Sequence, residues 1–260
     1  MDVILLCGGK GTRINEETIS KPKPMVEIGG MPMLWHIMKI YSYYGFNRFI
    51  LALGYKGSQI KQYFYNYKIT GTDFSLKLNP EQDIEYLKHS DEKQWEIVFV
   101  NTGEETLKGG RIKRLEKYIK SDVFHLTYGD GLADVDLNKL VDYHKSHDRI
   151  GTVTAVRPPS RFGELQIDEG NTIVSLEEKP QMGKGLINGG FFVFNKKMLS
   201  YLTADEDCDF EFGPLQRLSA DGQLKAYKHN DFWQCMDNIR DRDYLDKQVR
   251  TGNAPWMVWK

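Results

Sequence analysis

Val3-Ile4-Leu5-Leu6-Cys7 runs directly into Gly8-Gly9-Lys10-Gly11-Thr12-Arg13. Five consecutive apolar residues bounded by glycine suit a strand covered on both faces, because period-two alternation is lost when neither face meets water. The turn after it is small and basic. Glycine lets backbone N–H groups face an anion with no Cβ in the way, and Lys10, Thr12 and Arg13 add charge and a hydroxyl. At the carboxyl edge of a parallel sheet, where α/β proteins bind ligands, such a turn suggests triphosphate binding. Two familiar phosphate motifs fail on spacing. A P-loop needs a serine or threonine after its lysine, where Gly11 stands here, and the dinucleotide fingerprint needs a third glycine where Ile14 stands. A glycine turn with incidental basic residues stays open on this segment alone.

Outward from that strand, Leu34, Ile37, Met38, Tyr41 and Tyr44 recur at helical spacing over residues 32–44 behind a proline. Residues 48–54 predict a second buried strand and 58–67 a helix. Strand 96–100, helix 110–119, strand 123–128 and helix 136–147 continue the alternation, which implies right-handed crossovers and a mainly parallel sheet. From 151 to 230 the texture changes to short strands, GTVTAV, ELQID, TIVSLEEK and FFVFN, separated by Gly, Pro, Asn and Asp. The expected fold is α/β: a Rossmann-like, mixed and mainly parallel sheet flanked by helices, with a smaller β-rich part. Residues 66–95 are polar, patternless and long for a loop, a candidate flap or oligomer contact. A last helix is expected near 237–246, and the tail with Trp256 and Trp259 has no assigned role.

At 260 residues, 40% apolar and 27% charged, the chain can bury one sizeable core, and one domain is expected. A formal net charge of −1 lacks the nonspecific pull toward nucleic acid or anionic lipid, so neither nucleic acid nor membrane is an expected partner. Cys7, Cys208 and Cys235 are odd in number and lack a C-x-x-C pattern, which fits free thiols in a reducing cytoplasm. The apolar run at Val3–Cys7 is too short for a signal peptide or a membrane span. A cytoplasmic protein is the expectation.

Lys21-Pro22-Lys23-Pro24-Met25 strengthens the anion reading, because two prolines hold the chain extended and aim the lysines. The G-G-x-G-T-R turn with this K-P-K-P-M segment resembles the signature of the sugar-1-phosphate nucleotidyltransferases. The likeness continues through Lys56-Gly57, Thr102-Gly103, Gly109-Gly110-Arg111, Thr127-Tyr128-Gly129-Asp130-Gly131, Arg161-Phe162-Gly163, Glu178-Lys179-Pro180, Ile187-Asn188-Gly189-Gly190-Phe191 and Phe232 to Asp237. Together these span nearly the whole chain and resemble the members that join CTP to glucose 1-phosphate.

The resemblance implies residue roles. Residues 1–150 would be mainly the nucleotide half and 151–260 mainly the sugar-phosphate half of one domain. Leu6, Cys7, Gly8, Gly9, Lys10, Gly11, Thr12, Arg13, Lys23, Thr106, Arg111 and Gly129 would bind the nucleotide. Gly163, Glu178, Lys179, Asn188 and Gly189 would bind the sugar phosphate. Asp130 and Asp237 would hold Mg²⁺, an ion that takes one or two protein carboxylates beside phosphate oxygens and water. Arg13 is assigned to the leaving pyrophosphate, Lys23 to the α-phosphate and Lys179 to the incoming sugar phosphate, making Arg13, Lys23, Asp130, Asp237 and Lys179 the candidate catalytic set. On the residues alone, Asp130 and Asp237 also read as turn or cap aspartates, and Asn188-Gly189-Gly190 as a hairpin turn. The resemblance further implies a homo-oligomer, with a hexamer as the candidate, supplying CDP-glucose for deoxysugars of surface polysaccharide.

Cys235 departs from the proline of that pattern, and Gly213 from an acidic residue. His144 and His147 are three apart on a predicted helix, where imidazoles facing solvent and the helix dipole are the expectation over a zinc pair. The aromatics at 41, 44, 63, 64 and 67 read as core rather than as a base-stacking platform. Competing functions are uridylyl or thymidylyl transfer to a hexose 1-phosphate, and a nucleotide-sugar sensor without turnover.

Overall fold

The computed structural model describes residues 1–11, 18–78, 83–87, 92, 94–158, 164–177 and 185–260. The apolar run opens the chain as β1 (Asp2–Cys7), buried along its whole length. Its side chains alternate between the two cores that flank the sheet: Val3, Leu5 and Cys7 enter one, and Ile4 and Leu6 the other. Burial of each such aliphatic side chain contributes about 1.5–3 kcal/mol, and β1 serves both layers.

The short strands β2 (Glu27–Ile28) and β3 (Met31–Pro32) lead into α1 (Met33–Tyr43), whose Leu34, Ile37, Met38 and Tyr41 are all fully buried in the first core. Next come β4 (Arg48–Leu53), α2 (Gly57–Tyr65), α3 (Tyr67–Gly71), the hairpin β5 (Phe74–Leu76) and β6 (Ile84–Tyr86), and β7 (Glu96–Asn101). Residues 66–95, read from sequence as one long loop, thus hold a short helix and a two-stranded hairpin. These elements are three to five residues long and mostly exposed, so no periodicity could mark them.

α4 (Lys108–Arg114) is shorter than the predicted 110–119 helix, which tightens into a 3₁₀ turn at Glu116–Tyr118. β8 (Val123–Tyr128), β9 (Gly131–Ala133), α5 (Leu137–Lys145) and β10 (Gly151–Val156) follow. Asp136 caps α5, its carboxylate accepting from the Lys139 N–H at 3.0 Å. The rest comprises β11 (Glu164–Ile167), β12 (Ile173–Glu177), β13 (Ile187–Asn188), β14 (Phe192–Asn195), α6 (Gln216–Ala220), β15 (Leu224–His229), β16 (Trp233–Cys235) and α7 (Ile239–Arg250).

The main sheet runs β15, β10, β13 with β14, β8, β1, β4, β7. β8, β1, β4 and β7 are mutually parallel, as are β10 and β15, while β14 runs antiparallel to both β8 and β10. The sheet is therefore mixed and mainly parallel, as the alternation implied. Because β1, β4 and β8 point the same way, Gly8, Gly54 and Gly129 leave the sheet at one edge. The C-terminal tail closes the first core: Trp256 is fully buried, stacks on Phe232 at 5.3 Å and donates its indole N–H to His36 Nδ1 at 3.3 Å.

Candidate functional site

The carboxyl edge of the sheet borders a cavity of about 590 Å³, within the range that takes small-molecule ligands. Leu6, Cys7, Gly8, Gly9 and Gly11 form one wall. Lys23, Gly129, Asp130, Thr106, Arg111, Asn188, Gly189 and Asp237 line the remainder. Lys10 is turned to Glu105, with an ion pair of 2.7 Å. Thr12 and Arg13 of the glycine turn lie outside the described residues, as do Gly163, Glu178 and Lys179.

Lys23 is delivered by the proline segment. Pro22 is extended (φ −67°, ψ 148°), and Lys23–Met25 then close a 3₁₀ turn through Met25 N–H to Pro22 O at 2.8 Å. Extension therefore stops at Pro22, and the turn sends the Lys23 side chain inward while Lys21 pairs outside with Glu27 at 3.3 Å. The Lys23 ammonium lies 2.6 Å from Asp130 Oδ2 and 2.9 Å from Asp237 Oδ1. Burial by itself would weaken this ammonium, but the two carboxylates outweigh it and hold its pKa above the ordinary lysine value.

A small ladder brings the two aspartates together. β9 pairs antiparallel with β16, Gly131 opposite Cys235, and Met236 N–H donates to Asp130 O at 2.8 Å. Asp237 is fixed from the other side by the start of α7. Asn238 and Asp241 form a capping box there, and Asp241 also accepts the Asp237 N–H at 2.8 Å. The Cys235 thiol, in place of the expected proline, donates to Asp237 Oδ2 at 3.6 Å. Burial followed by the nearby carboxylates raises its pKa to about 12, and burial also pushes Cys7 up. Both cavity thiols are therefore protonated at neutral pH and are poor nucleophiles.

Arg111 lies beneath the glycine turn and is almost fully buried. Its guanidinium donates to Gly8 O and Glu104 O (both 3.0 Å), Gly103 O (2.6 Å), Thr102 Oγ1 (2.9 Å) and Leu53 O (3.2 Å). It thereby ties β1, β4 and the 102–106 loop at one point. Gly8 is required for that contact, since a Cβ there would stand 2.3 Å from Arg111 Nη1. Arg114 braces the same loop, donating to Thr106 Oγ1 at 2.8 Å.

The opposite wall contains residues to which sequence spacing gave no role. Tyr128 donates its hydroxyl to Glu211 Oε1 at 2.8 Å and accepts from Asn188 Nδ2 at 3.0 Å. Lys108 forms an ion pair with Glu211 and lies 5.3 Å from the centre of the Tyr128 ring. The Trp233 indole N–H donates to Gly189 O at 2.8 Å, holding the Asn188 turn against β16. Nearby, Gly213 has φ 143°, a backbone that an acidic side chain would strain, which accounts for glycine at that departure.

His144 and His147 both bond the Thr152 hydroxyl at 2.9 Å across to β10. His144 is buried, contrary to a solvent-facing role, because α5 presses that face onto the sheet. No cluster of three or more potential metal-binding side chains occurs among the described residues, and none of their helices is long and apolar enough to cross a membrane.

Comparison with known proteins gives the family. The nucleotidyl transferase family matches residues 2–241. The glucose-1-phosphate cytidylyltransferase of Salmonella typhi is 45% identical over all of both chains. The mannose-1-phosphate guanylyltransferase of Mycobacterium tuberculosis is 30% identical over 98% of this chain and 66% of its own. Among solved structures, HddC from Yersinia pseudotuberculosis superposes with a TM-score of 0.68 at 26% identity, covering 95% of this chain and 99% of that one.

Proposed function

The chain belongs to the nucleotidyl transferase family, and from that premise we propose that it transfers the cytidylyl group of CTP to α-D-glucose 1-phosphate, giving CDP-glucose and pyrophosphate. The observation that carries this reading is the convergence of Lys23, Asp130 and Asp237 in one cavity beside the glycine edge of β1. The Salmonella typhi relative supports the choice of base and sugar.

In the reaction, a phosphate oxygen of the sugar 1-phosphate attacks the α-phosphorus of CTP. The bond from that phosphorus to the bridging oxygen breaks, and its electron pair leaves with pyrophosphate. Protonated Cys7 and Cys235 support direct transfer without an enzyme-bound intermediate. The protein's part is orientation and neutralisation of developing charge. Lys23 takes the α-phosphate, Arg13 the leaving pyrophosphate and Lys179 the sugar phosphate. The glycine turn with Thr12, Thr106, Arg111 and Gly129 seats the nucleotide, and Gly163, Glu178, Asn188 and Gly189 seat the sugar.

The donor set of Asp130 and Asp237 fits Mg²⁺: two hard carboxylates share one cation at 2.6 and 2.9 Å and face the cavity. When bound, Mg²⁺ supplies charge neutralisation on the triphosphate. Free Cys7, Cys208 and Cys235 support a reducing, cytoplasmic location. Ile173, Val174 and Leu176, exposed on β12, support a homo-oligomer, to be counted by light scattering.

Pyrophosphate release with CTP, UTP or dTTP and glucose 1-phosphate tests the reading. Turnover with UTP or dTTP but not CTP overturns the base, and tight binding without turnover makes the protein a sensor. Asp130→Ala and Asp237→Ala are each expected to depress turnover by orders of magnitude with circular dichroism unchanged. Near-normal activity removes that residue from the reaction.

A further inference from the structure

Three elements meet at the Tyr128 hydroxyl, and a fourth joins them through Glu211. Lys108 comes from α4, Tyr128 from the end of β8, Asn188 from β13 and Glu211 from the segment before α6. All four line the cavity, and their hydrogens can be assigned without ambiguity. An ionised carboxylate only accepts, so the phenol's single hydrogen goes to Glu211 Oε1 at 2.8 Å. Tyr128 Oη must then accept from Asn188 Nδ2 at 3.0 Å, and Asn188 Oδ1 accepts the Gly190 N–H at 2.9 Å. The phenol keeps that hydrogen at neutral pH, because burial and then the Glu211 charge push its pKa up.

This accounting leaves the exposed Asn188 amide with one N–H and one Oδ1 lone pair, side by side. Such a pair matches two adjacent hydroxyls, one accepting and the next donating, which is the edge that a hexose presents. The ring that sets this orientation is itself confined. Phe192 meets it edge-on at 5.8 Å, and a Cβ on Gly190 would stand 3.1 Å from Tyr128 Cδ2. Lys108 pairs with the Glu211 carboxylate from the side of α4 and holds it against the Tyr128 hydroxyl.

We propose that Glu211 is a positioning residue for the sugar half of the cavity: through Tyr128 it fixes the Asn188 amide to read a vicinal diol of the hexose 1-phosphate. The inference rests on the sugar-1-phosphate reading of the site. Glu211→Gln keeps the shape, yet its amide can donate to Tyr128 Oη and release the phenol hydrogen, so the Asn188 amide keeps its bond from the Gly190 N–H but loses the fixed acceptor for its Nδ2. Tyr128→Phe removes the relay outright.

The experiment is a mutant cycle read on KM for glucose 1-phosphate, with CTP affinity measured beside it. Glu211→Gln and Tyr128→Phe are each expected to raise that KM roughly tenfold, the scale of one misplaced hydrogen bond, with CTP affinity changed less than about twofold. In an Asn188→Ala background neither is expected to add more than about twofold. An undiminished effect in that background overturns the proposal, as does an equal loss of CTP affinity or an unchanged KM in the single variants. Should Tyr128→Phe fail to fold, Glu211→Gln completes the cycle alone. If the wild-type protein uses another hexose 1-phosphate, only the choice of sugar fails and the cycle is run on that sugar. A wild type that turns over no hexose 1-phosphate sinks both.

Discussion

Lys23→Met removes the ammonium shared by Asp130 and Asp237 while keeping most of the apolar stem. Two oxygens that each touch one nitrogen, at 2.6 and 2.9 Å, are close neighbours once it is gone. At a separation of about 5 Å and an effective dielectric constant of about 20, their repulsion is about 3 kcal/mol. Breaking a buried pair costs about 3–5 kcal/mol, but both aspartates keep some exposure, at 32% and 21% of the side chain, so about 2–3 kcal/mol is the working figure. For a chain of this size that lowers the melting temperature by roughly 4–12 °C. The assay is thermal unfolding with chelator and then with millimolar Mn²⁺ or Mg²⁺, without nucleotide. The variant should melt lower than wild type in chelator, and the divalent ion should restore most of the loss. Wild type should gain much less, since its own ammonium competes for the same oxygens. A variant as stable as wild type in chelator, or an equal cation response in both proteins, refutes the idea that these three groups form one coupled charge cluster.

Gly8→Ala places a Cβ 2.3 Å from Arg111 Nη1, so the guanidinium or the turn must shift and the bonds around it are strained; we expect a loss of roughly 1–3 kcal/mol by denaturant unfolding, together with weakened CTP binding. Burial lowers His36 and His144 from 6.5 to about 4 and His125 to about 3. The unfolded chain takes up these protons first, so their stability contribution is complete above about pH 6.5 and is lost as pH falls toward 4. A melting temperature that stays flat from pH 7.5 to pH 4.5 would contradict this. Cys235, raised to about 12, should resist iodoacetamide at pH 7.5 in the native protein and react readily in urea, as read by mass spectrometry. Rapid native labelling would show the thiol to be ionised.

The sequence by itself determined the sheet and its loaded edge. The strands at 48–53, 96–101 and 123–128 lie where their apolar runs put them: β4 is buried and apolar beyond Arg48, while β7, at the edge of the sheet, leaves Glu96 and Asn101 exposed. The basic glycine turn after β1 and the proline-held lysine were also legible, as local chemistry is. The short, exposed α3, β5 and β6 carried no period to read, and Trp256 gave no local hint that it would plug the first core. Only the tertiary structure decided the rest of the site. Lys23 meets Asp130 across 107 residues and Asp237 across 214, a contact made by the β9–β16 ladder and the α7 cap rather than by spacing. Lys108, Tyr128 and Glu211 belong to separate elements, each unremarkable in its own segment, and they became one hydrogen-bonded wall when β8, β13 and α4 closed around the cavity. A side chain's partners lie in the dimension that folding adds, so their chemistry is fixed by packing and not by the order of residues along the chain.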